Sequence, residues 1–413
     1  MGIWNRCAGI GLVTAATLVP ARSAPAGQDP PAPPPVPLRI VTLNVKEGIG
    51  VPGQTAYEGT ADFLTTIDED GAGPNSGLNP DIVCLQECKY SAPSELINFV
   101  NARLPGYQVW PQSPPSQPGD PFNYNAIVLR PDIVVLDDDY PGAGGPRRNV
   151  RLTVEVPGAL QTLTIYCAHF KSGSSASDQN TRRNEAITSG IALYTDLTEG
   201  LDLDDDGLRE TPAGDLVFFG DLNSDDNGDG TLDGLFTHAT LFVPTGVLNL
   251  AIESLAGRND PNPPQAVWTY FSGSFLSRLD YGCLDESLAA YFDADQNGVF
   301  SQDELNSMGF VYWSQHDNGK QANGNASATT QASDHRPVVF DLMLPRDPST
   351  WFDPRDINHD QKINSEDLQL WETLFSQGTA PDVNGDAAVT LADRDDIRAF
   401  VRQDEAADIA HSG

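Results

Sequence analysis

Short apolar stretches recur along the chain, and most of them stop on a polar residue. Leu38–Val45 alternates β-branched and other apolar residues, which predicts a strand closing near the amide of Asn44. Asp81–Glu87 predicts a second strand that closes on a carboxylate. Between them Ala61–Ile67 reads as helical, and after them Leu96, Ile97, Val100 and Leu104 hold the 3–4 spacing of another helix. Tyr124–Arg130, Ile133–Leu136 and Val150–Val156 predict a β-rich middle. Leu163–Ser172 closes one more strand on His169 and Lys171. Ile187, Ile191, Tyr194 and Leu197 then mark a helix with Arg182 and Arg183 at its start, where an anion could be met.

The stretch with the most chemistry follows that helix. Leu216–Phe219 is four apolar residues in a row, the pattern of a buried strand, and Asp221 and Asn223 emerge where it ends. At period-2 spacing both side chains point the same way. An ionised carboxylate beside a core strand is costly unless a metal, a water or a substrate proton compensates it. A long irregular region, Thr237–Gln265, leads into Trp268–Phe271 and Ser277–Tyr281, and Ser333-Asp334-His335 directly precedes a last buried strand. Each polar residue alone fits a backbone-satisfying turn. Alternating strands and helices with polar residues at strand ends are how α/β folds assemble sites.

Charge narrows the chemistry. Asp and Glu number 58 against 24 Lys and Arg, a net charge of −34. A protein that grips phosphates with its own charge should be basic, so phosphate recognition here would run through bound cations. The N-terminus supplies a compartment. Arg6, the apolar Cys7–Val19 and Ala24-Pro25-Ala26 form the charged, apolar and cleavage regions of a secretory signal peptide over residues 1–26. Residues 27–37 are a proline-rich leader, and no other run approaches the ~20 apolar residues of a membrane span. A secreted or cell-surface location is expected. Cys84, Cys88, Cys167 and Cys283 remain after cleavage; two disulfides in any of three connectivities, or buried free thiols, are open. Cys84 and Cys88, on one strand, are too far apart to pair with each other.

Taken in order, LRIVTLNV, DIVCLQE, AHFKSG, GDLNSD, SRLDY and SDHRPVV resemble the motifs of the endonuclease/exonuclease/phosphatase superfamily, the fold of DNase I and its relatives, over Leu38–Leu344. The resemblance implies an α/β (α+β) four-layer sandwich: two mixed sheets face to face, helices outside, and a site at one sheet edge. It also implies hydrolysis of phosphate esters with Mg²⁺, Mn²⁺ or Ca²⁺. The residue types fit that chemistry, because a hard cation held by oxygen ligands neutralises a phosphate ester and orients it. Asn44, Glu87 and Asp334 supply such oxygens, with Mg²⁺ or Mn²⁺ as the expected ion. Asp221 with Asn223 would hold the attacking water, and His169 and His335 would be protonated donors to the phosphate or leaving oxygen. Asp280 would pair with His335, fixing its tautomer and raising its pKa. Tyr124, Lys171 and Arg183 match as phosphate contacts.

The expected domain, 38–344, departs from the family pattern by an insertion. An EF-hand-like segment over 286–308 contains Asp293, Asp295, Asn297, Gly298, Val299, Ser301 and Glu304 at loop positions 1, 3, 5, 6, 7, 9 and 12, the signature of a Ca²⁺ loop. Two acidic turns, Asp202/Asp204/Asp206/Gly207 and Asp225/Asn227/Asp229/Gly230/Asp233, begin like such loops but lack a carboxylate at position 12, and are equally well solvated turns. After a linker over 345–352, residues 353–405 hold a duplication that resembles a dockerin, a small all-α module of two calcium loops each followed by a helix. The resemblance implies Ca²⁺ ligands Asp356, Asn358, Asp360, Lys362, Asn364 and Asp367 in the first loop, and Asp382, Asn384, Asp386, Ala388, Thr390 and Asp393 in the second, with Lys362 and Ala388 acting through backbone carbonyls. Gln361 and Ala387 stand where glycine is usual. A cohesin-like protein or another cell-surface partner is expected for such a module.

The sequence therefore points to a secreted metal-dependent phosphodiesterase, with nucleic acid, DNA or RNA, as the leading substrate. A sphingomyelinase-like phospholipase or a small phosphate-ester hydrolase is the alternative, and a non-catalytic calcium-binding scaffold is a second. The complete set of strand-end residues argues against the scaffold.

Overall fold

The computed structural model describes residues 33–65, 77–114, 122–142, 145–203, 209, 214–224, 229–231, 234–235, 269–272, 275–277, 279–285, 288, 309–311, 331–348, 353–357, 363, 365–383, 388–399 and 401. They fall into two compact units, one within 34–351 and one within 352–413. The signal peptide, most of the leader, the EF-hand-like loop from Asp293 to Glu304, and Asp204, Asp206, Gly207, Asp225, Asn227 and Asp233 of the acidic turns lie outside the described residues.

In the larger unit the alternating segments become strands β1 (Val36–Asn44), β2 (Ile82–Lys89), β3 (Gln108–Trp110), β4 (Asn123–Leu129), β5 (Val134–Asp139), β6 (Val150–Glu155), β7 (Leu163–His169) and β8 (Asp215–Asp221). A hairpin, β9 (Tyr270–Ser272) and β10 (Phe275–Ser277), precedes β11 (Asp280–Leu284), β12 (Gly309–Val311) and β13 (Val338–Leu344). One mixed sheet runs β12-β13-β1-β2-β4-β3 and the other β11-β8-β7-β6-β5.

Three apolar clusters hold these elements in layers. Ile40, Cys84, Ile127, Leu152, Ile165, Phe219 and Phe340, from both sheets, fill the space between them. Tyr57 and Phe63 of helix α1 (Thr55–Thr65) and Phe99 of α2 (Ser94–Arg103) cover the outer face of the first sheet. Ala186 and Leu193 of α3 (Ala176–Glu199) cover the outer face of the second. Gly282 keeps the sheets close at one point: a Cβ there would lie 2.1 Å from the Phe340 ring and 2.6 Å from that of Phe219.

Two features correct the sequence expectations. Helix α3 begins at Ala176, N-capped by Ser175, so Arg182 and Arg183 lie inside it and not at its start. Its buried face is Arg182, Glu185, Ala186, Ser189, Leu193 and Asp196, whereas Ile191 is 44% exposed. The reason is a buried polar network: Asp196 accepts hydrogen bonds from Arg151 of β6, from Tyr166 of β7 and from Arg209. Of the apolar residues at helical spacing, Leu197 packs against the cluster under this face and Ile191 does not. Cys84, Cys88, Cys167 and Cys283 are buried free thiols, the second of the two arrangements left open by their number. Burial pushes the thiols of Cys84 and Cys88 well up, so both are held protonated.

In the smaller unit helix α4 (Ser365–Ser376) and the helical residues 391–399 enclose Trp371, Ile363, Val383, Ile397 and Val401. Asp367 and Asp393 are fully buried and play matching parts: Asp367 Oδ1 accepts from Ile357 N at 2.8 Å, and Asp393 Oδ1 from Val383 N at 2.9 Å. Asp356, Asp382, Ala388 and Thr390 are described with them; Asn358, Asp360, Lys362, Asn364, Asn384 and Asp386 are not.

Candidate active site

Topology places the strand-end residues together. β1 and β2 are parallel, with Asn44 opposite Gln86, and β7 and β8 are parallel, with His169 opposite Asp221. Their carboxyl ends therefore share an edge. β11 runs antiparallel to β8 and begins there, Asp280 opposite Asp221. β13 runs antiparallel to β1, so the residues before it, Asp334 and His335, reach the same edge. A register irregularity in the β2–β4 pairing falls between Leu85 and Cys88 and re-aims Glu87, whose φ is 59°. Asn223 likewise has φ 52°. Left-handed backbone at non-glycine residues is uncommon and concentrates at functional sites.

A cleft of about 660 Å³ opens at this edge. Glu47, Glu87, Asp221, Asp229 and Asp334 line it beside Lys46 and Arg182, with Asn223, Tyr270 and His335. Asn44, His169 and Asp280 stand behind that lining, each 3% exposed or less.

Asp221 is the meeting point. Its Oδ2 accepts from Asn44 Nδ2 at 2.9 Å and lies 3.5 Å from His169 Nε2 and 3.8 Å from His335 Nε2. Its Oδ1 accepts from Asn223 N at 2.9 Å. Asn44 Nδ2 also donates to Glu87 Oε1 at 3.1 Å, so one amide ties carboxylates of two sheets. Glu87 Oε2 accepts from Glu47 N at 3.0 Å. Burial pushes the Asp221 carboxyl up to about 7; His335 pulls it back and Asp280 adds to the rise.

The two histidines differ. His335 Nδ1 lies 2.7 Å from Asp280 Oδ2, and the pair is buried. Burial alone would lower its pKa, but Asp280 and Asp221 raise it to about 10, which makes it an imidazolium at neutral pH. The Tyr270 ring lies 4.9 Å from the imidazole. His169 is the reverse: burial, then Arg147, His335 and Lys171, push its pKa well below the usual value. The expectation of two protonated donors is corrected. His169 is neutral because burial strips its ring of water, and neither nitrogen has a hydrogen-bond partner, the nearest carboxylate oxygen, of Asp221, standing 3.5 Å from Nε2.

Other expected residues are not brought to the cleft. Tyr124 is buried in the cluster under α1 and α2, because its strand turns it to the outer face of the sheet. The Lys171 ammonium lies 3.2 Å from Asp178 on the first turn of α3. Arg183 donates to the carbonyl of Asp229, while its neighbour Arg182 faces the cleft, pairs with the Asp229 carboxylate and donates to Lys171 O and Gly173 O. Asp229 also accepts from Ser224 and Thr231, so Arg182 and two hydroxyls engage this carboxylate of the second acidic turn.

Sequence reasoning missed Lys46, Thr269 and Tyr270, and it named Arg182 only beside Arg183 as a helix-start anion contact. Lys46 stands two residues past Asn44, and its Nζ is 2.8 Å from Asp334 Oδ2. Its signal was that spacing; the others carry none that a single sequence exposes.

The donors suit a hard divalent cation. Carboxylates outnumber cationic side chains in the cleft, and Arg182 is already neutralised by Asp229. Among the described residues, Asp221, Asp280 and His335 form a potential ligand group, their ligand atoms within 4.8 Å of one another. In that group His335 Nδ1 is committed to Asp280; of the oxygen donors expected for a cation, Asn44 Oδ1 accepts from Lys46 N at 2.9 Å and Asp334 pairs with Lys46 Nζ.

The model of the Endonuclease/Exonuclease/phosphatase family matches residues 41–281, more than half of the chain, ending before Asp334 and His335. No curated protein matches. Among similar solved structures, the endonuclease/exonuclease/phosphatase from Bacteroides vulgatus is 14% identical, with 75% of this chain and 99% of that chain covered and a TM-score of 0.45. The human Nocturnin catalytic domain with bound sulfate is 16% identical, with 75% and 94% covered and a TM-score of 0.44. A humanised D. rerio TDP2 is 15% identical, with 74% and 98% covered and a TM-score of 0.44. With the family match spanning β1 to the start of β11, this chain belongs to the Endonuclease/Exonuclease/phosphatase family and is a metal-dependent phosphoric ester hydrolase.

Proposed function

We propose that the protein is a secreted phosphodiesterase that cleaves nucleic acid, carried on a calcium-binding, dockerin-like module. The observation that carries the catalytic part is the convergence on Asp221 of groups from four other strand ends of two sheets. A carboxyl near 7 can take a proton from water at neutral pH, where a general base works best. Asn223, whose amide donates to Phe170 O at 3.1 Å, holds its own backbone N–H on Asp221 and fixes the carboxylate toward the cleft. The His335 imidazolium, with Asp280 behind it, faces the developing negative charge and can protonate the leaving oxygen. Neutral His169 presents an N–H without competing for the proton. Glu87, Asp334 and Asn44 would hold Mg²⁺ or Mn²⁺, which neutralises the phosphate when bound.

Export rests on the charged, apolar and small-residue sequence of 1–26, and the anchoring module on the duplicated loops whose Asp367 and Asp393 play the same part. Ca²⁺ would occupy those loops and the EF-hand-like loop, and a cohesin-like or cell-surface partner would receive the module. The test is to incubate the full mature chain with plasmid DNA, structured RNA and sphingomyelin liposomes, in Ca²⁺ plus Mg²⁺. Nucleic-acid cleavage abolished by chelator is expected. Turnover of lipid alone would replace the nuclease reading with a phospholipase, and folded, metal-loaded protein inert toward all three would contradict it.

A further inference from the structure

The Asp280–His335 pair joins two elements of different sheets. Asp280 begins β11 of the five-stranded sheet, and His335 precedes β13 of the six-stranded one. A hydrogen bond of 2.7 Å between them demands that both backbones be fixed relative to each other. Their own sheets cannot do that, because neither ladder crosses the gap.

One residue touches both sides. Thr269 is 1% exposed and immediately precedes β9. Its Oγ1 accepts from Leu279 N at 2.9 Å and from Asp280 N at 3.0 Å. Its carbonyl accepts from Arg336 N at 2.6 Å, and Tyr270 forms an isolated β-bridge with His335. Thr269 N donates to Ser277 O at 3.1 Å, which ties the clasp to its own hairpin. The Thr269 hydroxyl thus fixes the Asp280 backbone, and the adjoining main chain fixes the backbone at His335 and Arg336.

We propose that Thr269 is a positioning residue for the hydrolysis, holding Asp280 and His335 in register through its hydroxyl. The inference rests on Asp280 and His335 being the catalytic pair. Thr269 touches no reacting atom. Its hydroxyl is needed because a valine of the same shape would leave the buried Asp280 N–H and the half-buried Leu279 N–H without this acceptor. Displacing a catalytic group by about 1 Å can cost about 10²-fold in rate.

The test compares Thr269→Val with Thr269→Ser in the full chain. With Mg²⁺ and bis(p-nitrophenyl) phosphate, Thr269→Val should lower kcat about 10- to 100-fold with KM within about twofold, and Thr269→Ser should restore kcat to within about threefold of the parent. Independently of any substrate, the downfield proton resonance of His335 Nδ1–H should shift or vanish in Thr269→Val and persist in Thr269→Ser. In an Asp280→Asn background Thr269→Val should change kcat no further. Parental kcat and resonance in Thr269→Val, or a serine variant as impaired as the valine one, would overturn the proposal. If the valine variant does not fold, Thr269→Ala against Thr269→Ser makes the same comparison. A parental protein with the resonance intact but inert toward phosphodiesters would refute the hydrolase reading and leave the positioning role to the resonance alone.

Discussion

Asn44 Nδ2 lies 2.9 Å from Asp221 Oδ2, although the two residues close strands of different sheets. This contact joins the Asn44–Glu87 side of the cleft to Asp221, the proposed base. It also holds the Asp221 carboxyl lower than burial alone would leave it. Asn44→Ala should therefore raise the Asp221 pKa above about 7 and move the acidic limb of the kcat/KM–pH profile upward. Activity at neutral pH should fall by about 10²-fold, the scale of one lost general-base contribution. An unmoved limb would show that Asp221 does not govern it.

Arg182 and Arg183 are adjacent and chemically identical, and the structure separates them. Arg182 is buried in an ion pair with Asp229 and bridges the chain at Lys171 and Gly173. Arg182→Ala should cost about 3–5 kcal/mol, because Asp229 is left charged and buried. Arg183→Ala should stay within about 0.5 kcal/mol of the parent and leave KM unchanged. Urea denaturation of both variants, with KM measured on the folded fraction, checks the contrast.

Gly282 is a packing glycine between the sheets. Gly282→Ala drives a methyl group into the Phe219 and Phe340 rings, whose centroids are 4.5 Å apart. A destabilisation of about 1–3 kcal/mol is expected in chemical denaturation, since both rings belong to the inter-sheet core.

Glu185 is a buried carboxyl whose Oε2 accepts from Lys171 N, and burial pushes it up to about 7. A carboxyl with a raised folded pKa takes up a proton on folding. Its contribution is full below the unfolded value near 4.5 and is lost as pH rises through about 7. The parental protein should lose on the order of 3 kcal/mol across that window relative to Glu185→Gln, which cannot titrate. The difference in Tm between the two, followed from pH 4 to 8, should narrow or invert with rising pH. A constant difference would contradict the assignment.

Much of this site was legible because parallel strand pairs carry their chemistry at their ends. The runs before Asn44, Glu87, His169 and Asp221 are apolar and short, and each ends on its polar residue within the strand or one step past it. What stayed hidden depends on tertiary partners. Tyr124 reads as a site residue by position, but the strand's pleat sends it into the core under the helices. The polar buried face of α3 defeats apolar periodicity because Asp196 seats it through Arg151 and Tyr166. Thr269 carries no signal because its role lies in which distant N–H groups it meets. The opposite protonation of His169 and His335 is equally invisible, since it is set by tertiary neighbours: Asp280 and Asp221 at His335, Arg147 and Lys171 at the buried His169.

The central claim is that Asp221 is the base of a metal-dependent phosphodiester hydrolase. The most direct measurement is single-turnover cleavage of a labelled oligonucleotide by Asp221→Asn, beside the parental chain with and without chelator, with Tm followed in parallel. The account predicts a rate loss of about 10²–10⁴-fold in a variant that melts like or above the parent, since a neutral amide relieves the buried charge, and no cleavage by the parent in chelator. Cleavage at the parental rate by Asp221→Asn, or metal-independent cleavage by the parent, would contradict it.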